Sequence, residues 1–319
     1  MKIAFVGKGG SGKTTISSLF ARYLTAQDLP VLAIDADINQ HLGVTLGLTT
    51  QQASALPPMG LQIDKIKEYL RGSNPLIHSN ELMAKTTPPG RGSQLVTPTE
   101  QNPIYDHFAR EVDGVRLLAV GPFSEEDLGV KCYHSKTGAA ELLLSHMIDG
   151  PGEYVLMDMT AGADSFASGM FTKFDVTFLV VEPTIKSVSV YQQYKRYAKD
   201  HDVRIQVIGN KVEDDSDITF LREHIGDDLL AWFDRSSFVR TMEKGQHLSL
   251  EQLEAHNREV LEQMQATVDA CQKDWDKFYR QTVEFHIRNA KSWANASVGE
   301  DLTKQVDTEF ELSPDLVHA

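Results

Sequence analysis

The sequence predicts an α/β fold: a doubly wound, mostly parallel sheet with helices on both faces, continued by a helical C-terminal extension. Three observations predict it. Short apolar runs alternate with stretches of helical periodicity along most of the chain, the pattern of a sheet covered on both sides. Several of those runs are almost continuously apolar, as parallel strands buried on both faces require. A glycine-rich turn joins the first run to the first helical pattern, where an open α/β sheet carries its ligand.

The elements follow in order. Strands are expected at Ile3–Val6, Val31–Asp35, Val115–Val120, Tyr154–Asp158, Val176–Val181, Ile205–Gly209 and Leu229–Trp232. Helices are expected between them, among others at Thr14–Thr25, Ala139–Met147 and Ser187–Lys199. Lys85–Pro103 is rich in Pro, Thr, Gly and Ser and reads as a long surface loop or lid. Roughly 251–294 reads as one long helix. Its Val260, Met264, Val268, Cys271, Trp275 and Phe278 recur at steps of four and three and form a single apolar stripe, either a core face or a partner surface. The expected division is 1–248 as the nucleotide-binding domain, 249–295 as a helical extension and 296–319 as a weakly structured acidic tail.

Composition bounds the function. A formal charge of −14 over 319 residues, from 45 acidic and 31 basic side chains, speaks against general binding to nucleic acid or to an anionic membrane. No apolar run approaches the ~20 residues that span a bilayer, so no stable membrane insertion is expected. The two cysteines make no disulfide framework, and no signal-peptide pattern precedes the first strand; a reducing cytoplasm is the expected location.

The chemistry begins at Gly7-Lys8-Gly9-Gly10-Ser11-Gly12-Lys13-Thr14-Thr15, which contains G-x-x-x-x-G-K-[ST]. The glycines let backbone N–H groups turn inward on phosphate oxygens, and the following helix adds its positive end. Lys13 would reach the β- and γ-phosphates, and Thr14 would hold Mg²⁺. Two further strand ends carry carboxylates. Asp35 and Asp37 alternate on an extended chain and can face one site. Asp158 ends another strand, with Gly162 four residues on; its N–H could sense a γ-phosphate.

The second lysine of the loop, Lys8, resembles the deviant Walker A motif of the MinD, ParA, nitrogenase iron protein and arsenite-pump ATPases. This resemblance implies a P-loop NTPase that hydrolyses ATP to ADP and phosphate with Mg²⁺. It also implies an ATP-sandwich homodimer in which Lys8 reaches the partner's nucleotide. By the same resemblance Lys8, Lys13 and Asp37 are the catalytic candidates, Asp37 orienting the attacking water. Asp35 is a structural or Mg²⁺-shell carboxylate, and Asp158 holds Mg²⁺ through water. Asn210 and Lys211, in Val207-Ile208-Gly209-Asn210-Lys211, resemble the strand-end motif that reads adenine; a plain turn asparagine is the alternative.

The order of the middle segments narrows the resemblance. Val115–Gly121, Lys131-Cys132-Tyr133-His134, Met157–Gly162 and Val180-Val181-Glu182-Pro183-Thr184 resemble the carbon monoxide dehydrogenase maturation ATPases (CooC type), over about residues 1–248. That implies a client metalloenzyme and nickel-like metal delivery. Where that branch has Cys-x-Cys, this chain has Cys132 and His134. Two copies would supply a Cys₂His₂ set that suits Zn²⁺ and still admits Ni²⁺. The other reading of the pair is a small buried cysteine beside an exposed histidine, with no metal. The functional alternatives are a ParA/MinD-like positioning switch, or a regulatory ATPase that recruits a protein partner without metal.

Overall fold

The computed structural model describes residues 1–122, 134–162, 166 and 168–317; His134 and Ser135 are described by their backbone only. Among the described residues eight strands form one sheet: β1 (Lys2–Gly7), β2 (Val31–Ala36), β3 (Arg110–Val112), β4 (Val115–Ala119), β5 (Tyr154–Met159), β6 (Val176–Val181), β7 (Ile205–Val212) and β8 (Leu229–Asp234). Their spatial order is β3-β4-β2-β5-β1-β6-β7-β8, and every pairing is parallel except the β3–β4 edge. The seven expected strands are present. β3 was not foreseen because its three residues, Arg-Glu-Val, are exposed or half-buried and carry no apolar run.

Strand alternation builds two cores. In β1, Ile3 and Phe5 point to one face, where the helices Lys13–Thr25 and Ala255–Asp269 supply Leu19, Phe20, Val260 and Met264. Ala4 and Val6 point to the other, covered by Leu142 and Leu143 of His134–Ser145 and by Tyr191 and Tyr194 of Ile185–Ala198. This period-two division of one strand is what a sheet with helices on both faces demands.

Three expectations are corrected. The stretch 251–294 is not one helix. Ala255–Asp269 ends, and a second helix, Trp275–Asn289, starts where the Asp274 side chain accepts the Lys277 N–H at 2.8 Å. The apolar stripe therefore divides. Val260, Met264 and Val268 enter the sheet core, whereas Phe278 packs with Ile148 and Leu312. Second, 85–103 is not a surface loop. Thr86, Thr87 and Val96 are buried, and Val96 exchanges backbone hydrogen bonds with His146 and Ile148 at 3.0 and 2.8 Å. Third, the stretch from 296 is packed. Leu302 and Leu312 are buried, and Asp307 accepts from Arg91 Nε and Nη2 at 2.7 and 3.0 Å. Polar composition suggested an open loop and a loose tail; each covers the other. No helix among the described residues is long and apolar enough to cross a membrane.

Candidate nucleotide site

β1 ends at Gly7, and the chain turns through Lys8–Gly12 into the helix Lys13–Thr25. Gly7, Gly10 and Gly12 have φ of 151°, 80° and 98°, a region that side chains oppose. A Cβ on Gly7 would stand 2.5 Å from the Val180 carbonyl oxygen, and one on Gly12 2.2 Å from Asn210 Nδ2. Gly12 is the N-cap and supplies no side chain to the first turn, so that turn presents its N–H groups and positive end outward. Lys13 is buried, with its Nζ 3.5 Å from the Lys8 carbonyl oxygen.

The sheet register brings the carboxylates to this turn. Phe5 and Asp35 are the β-partners of Asp158, so Asp158 lies one strand from the loop and Asp35 beside it on the next. Thr14 Oγ1 donates to Asp158 Oδ2 at 2.6 Å. Asp158 is wholly buried, and its Oδ1 has no hydrogen-bond partner among the described residues. Burial pushes its carboxyl up to about 7, against the pull of the Thr14 hydrogen bond and Lys13. A buried carboxylate beside a hydroxyl, with one oxygen free, is a donor pair that fits a hard divalent cation such as Mg²⁺.

Asp35 differs. Its Oδ1 accepts the Asp37 N–H at 3.2 Å and its Oδ2 the Leu42 N–H at 2.9 Å, so it orders the turn that follows β2. Burial, and then Asp158, hold its carboxyl well above the ordinary range. Of the two parts the sequence left open for it, the contacts favour the structural one. Asp37 lines the cavity, with Oδ1 accepting both the N–H and the side-chain amide of Asn39 at 2.9 Å. Gly162 has φ 91° and donates its N–H to the Gly7 carbonyl at 3.1 Å, so that this N–H must leave Gly7 before it can meet a phosphate.

Asn210 Nδ2 donates to the Ser11 carbonyl at 2.7 Å, which braces the loop. Lys211 Nζ donates to the Gly10 carbonyl and to Glu182 Oε1, each at 2.7 Å. Gly12, Lys13, Thr14, Asp37, Asn210 and Lys211 border one cavity of about 880 Å³, the size of a nucleotide cleft. Cys132 lies outside the described residues. His134 opens the helix His134–Ser145, but its side chain also lies outside them. The described residues contain no group of three or more His, Cys, Asp or Glu placed to hold a metal ion.

Sequence reading missed several residues here. Gln40 Nε2 donates to the carbonyls of Asp35 and Asp37 at 3.2 and 2.9 Å, and its Oε1 accepts the Gly121 N–H at 3.2 Å. Arg235, Ser236 and Arg240 form the far wall of the cavity. The signal for the wall was available: it follows β8, at the carboxyl end of a parallel strand. Gln40 gave none, because nothing in the sequence marks a glutamine at φ 53°.

The family described as "CobQ/CobB/MinD/ParA nucleotide binding domain" matches residues 3–269. The carbon monoxide dehydrogenase accessory protein CooC of Rhodospirillum rubrum is 30% identical over 222 residues, covering 69% of this chain and 78% of that one. Among solved structures, a ParA family ATPase from Chlorobium tepidum aligns with a TM-score of 0.56 at 16% identity, over 82% of this chain and 96% of its own. The septum site-determining protein MinD complexed with Mg-ADP, from Pyrococcus horikoshii, aligns with a TM-score of 0.50 at 15% identity, over 89% and 94%. At such identities the two structures speak for the fold alone.

Proposed function

The chain belongs to the CobQ/CobB/MinD/ParA nucleotide-binding family, and on that premise we propose a Mg²⁺-dependent ATPase that pairs with a second copy around ATP and uses this switch in metalloenzyme maturation or metal delivery. The observation that carries the ATPase is the bond from Thr14 to a buried Asp158 whose second oxygen has no partner among the described residues, with Thr14 lining the same cavity as Lys13 and Asp37. Thr14 and Asp158 would hold Mg²⁺, which supplies charge neutralisation at the β- and γ-phosphates. Lys13 binds the same phosphates from within the chain, while Lys8 reaches those of the partner. Asp37 holds the attacking water in line, and positioning does most of the work. Asp35 orders the turn that carries Asp37. Gly162 exchanges Gly7 for the γ-phosphate and reverts after hydrolysis. Asn210 and Lys211 serve the nucleotide by fixing the loop, with Asn210 at the adenine side.

Likeness to a carbon monoxide dehydrogenase accessory protein supports the maturation role. In that role Cys132 and His134 of two copies take one Zn²⁺ or Ni²⁺ as cargo, and a client metalloenzyme receives it. Lys13→Ala is expected to abolish ATP binding, read by equilibrium dialysis; unchanged binding and turnover would remove the phosphate-loop reading. Asp37→Ala is expected to bind ATP, hydrolyse it poorly and accumulate as a dimer by light scattering. For the metal, dialysis of the dimer against Zn²⁺ or Ni²⁺ should give about one ion per two chains, lost in Cys132→Ser and in His134→Ala. If both variants match the parent, the metal role is wrong and recruitment of a protein partner becomes the better reading.

A further inference from the structure

Glu182 follows β6 directly, and its carboxylate faces two lysines of the nucleotide site. Oε1 accepts from Lys211 Nζ at 2.7 Å, and Oε2 lies 3.7 Å from Lys8 Nζ. The backbone that carries it is fixed: the Glu182 N–H donates to Ser187 Oγ at 3.0 Å, at the start of the helix Ile185–Ala198, and Pro183 follows it. Lys211 reaches it from a left-handed residue, φ 61°, where the β7–β8 register shifts between Gly209 and Val212. A non-glycine residue in that conformation is uncommon, and such strain concentrates at functional sites.

The two contacts are unequal. The Lys211 bond is short and also ties to the Gly10 carbonyl. The Lys8 contact is an ion pair without a hydrogen bond, on a side chain that is 37% exposed. Glu182 itself is only 17% exposed. Two ammonium groups thus share one carboxylate. One is fastened, and the other is loosely retained at the rim.

We infer that Glu182 is the acceptor that retains Lys8 within its own subunit, and that transfer of Lys8 from Glu182 to a phosphate of the partner's ATP sets how readily the dimer forms. This rests on the ATP-sandwich reading above. A triphosphate carries more negative charge than one carboxylate, so the transfer is favoured by ATP and less so by ADP. Lys211 remains on Glu182 when Lys8 leaves, so the carboxylate is not left buried without a cation. Glu182 is a positioning residue: it acts on Lys8 and touches no reacting atom.

Glu182→Gln keeps the shape and an acceptor for Lys211 but removes the charge that retains Lys8. At saturating ATP, the protein concentration for half-dimerisation, read by sedimentation velocity, should fall about tenfold, because each dimer releases two such contacts and each exposed pair accounts for a factor of a few. Merely structural damage would weaken the dimer and shift the midpoint the other way. Lys8→Met tests the underlying reading, since it should not dimerise with ATP at any concentration reached. If Lys8→Met fails to dimerise while Glu182→Gln matches the parent or is weaker, Glu182 is not the retaining acceptor and the sandwich reading stands. If Lys8→Met dimerises like the parent, Lys8 does not cross and both ideas fall.

Discussion

Single residues decide the chemistry at this site, and glycines decide as much as the charged groups. At Gly12 the backbone angle and the 2.2 Å approach to Asn210 Nδ2 both refuse a methyl group. Gly12→Ala is expected to dislodge Asn210 from the Ser11 carbonyl and to lower ATP affinity at least tenfold, measured by calorimetric titration. The residues of the phosphate loop, Asp37, Asp158 and Gly162 were legible in the sequence because each sits at a strand end in a recognisable spacing. Gln40 and the retaining contact of Glu182 were not, because they depend on which strand ends meet across the sheet. His146 makes a further residue-scale case. It is fully buried, with Nδ1 donating to the Leu142 carbonyl at 3.0 Å, and burial lowers its pKa to about 4. The folded value lies below the ordinary 6.5, so the unfolded chain takes up a proton first as the pH falls. The stability His146 contributes above that window is therefore lost as pH drops from about 6.5 toward 4, on the order of 2 kcal/mol by pH 5. Its imidazole resonances should show no protonation above about pH 5; a midpoint near 6.5 would refute the assignment.

At the level of elements, the turn after β2 is held by side chains at both ends. Gln40 fastens it to Gly121 at the end of β4, while Asp35 holds its start. Gln40→Asn tolerates the left-handed backbone but is one carbon too short to reach Gly121. Phosphate release is expected to fall several-fold with little change in unfolding midpoint, and unchanged turnover would show that this staple does not serve Asp37. The strands other than β3 were legible as elements because their buried stretches are apolar runs, and β3 was not because it has none. The C-terminal helices were legible as apolar periodicity but not as two pieces. The step from Val268 through Cys271 to Trp275 keeps helical spacing across a break, and only the Asp274 cap marks it. The segment 85–103 was illegible for a different reason. Its polar residues are buried against a tail distant in sequence, as at Thr87 and Gln305, whose side chains bond at 3.2 Å.

Across the whole molecule, the end of the sheet opposite the nucleotide is fastened by charge. Asp149 is buried, with Lys2 Nζ at 2.8 Å and Lys273 Nζ also bonded to it, and Lys273 continues to Asp175 at 2.8 Å. This joins β1, the loop before β5, the loop before β6 and the link between the two C-terminal helices. Asp149→Asn leaves three ammonium groups, those of Lys2, Lys273 and the Met1 amino group, short of a counter-charge and is expected to destabilise the fold by about 3–5 kcal/mol in urea titration. ATP affinity at the far end of the strands should stay near that of the parent at low urea. A loss below about 1 kcal/mol would mean that packing, not charge, holds this end.

The central place of β1 has a consequence in time. Its neighbours in the sheet are β5 and β6, with Lys2 opposite Val155 and Ile3 opposite Val176. During synthesis the first strand therefore has no partner until about 150 further residues have been made, roughly 8–30 s at ordinary translation rates. Through that interval an apolar strand and the glycine loop after it emerge unpaired. The nascent chain thus exposes sticky backbone and side chains well before it can close its nucleotide site, and its refolding in vitro is expected to be slow and concentration-sensitive, as parallel pairing across long sequence separations dictates.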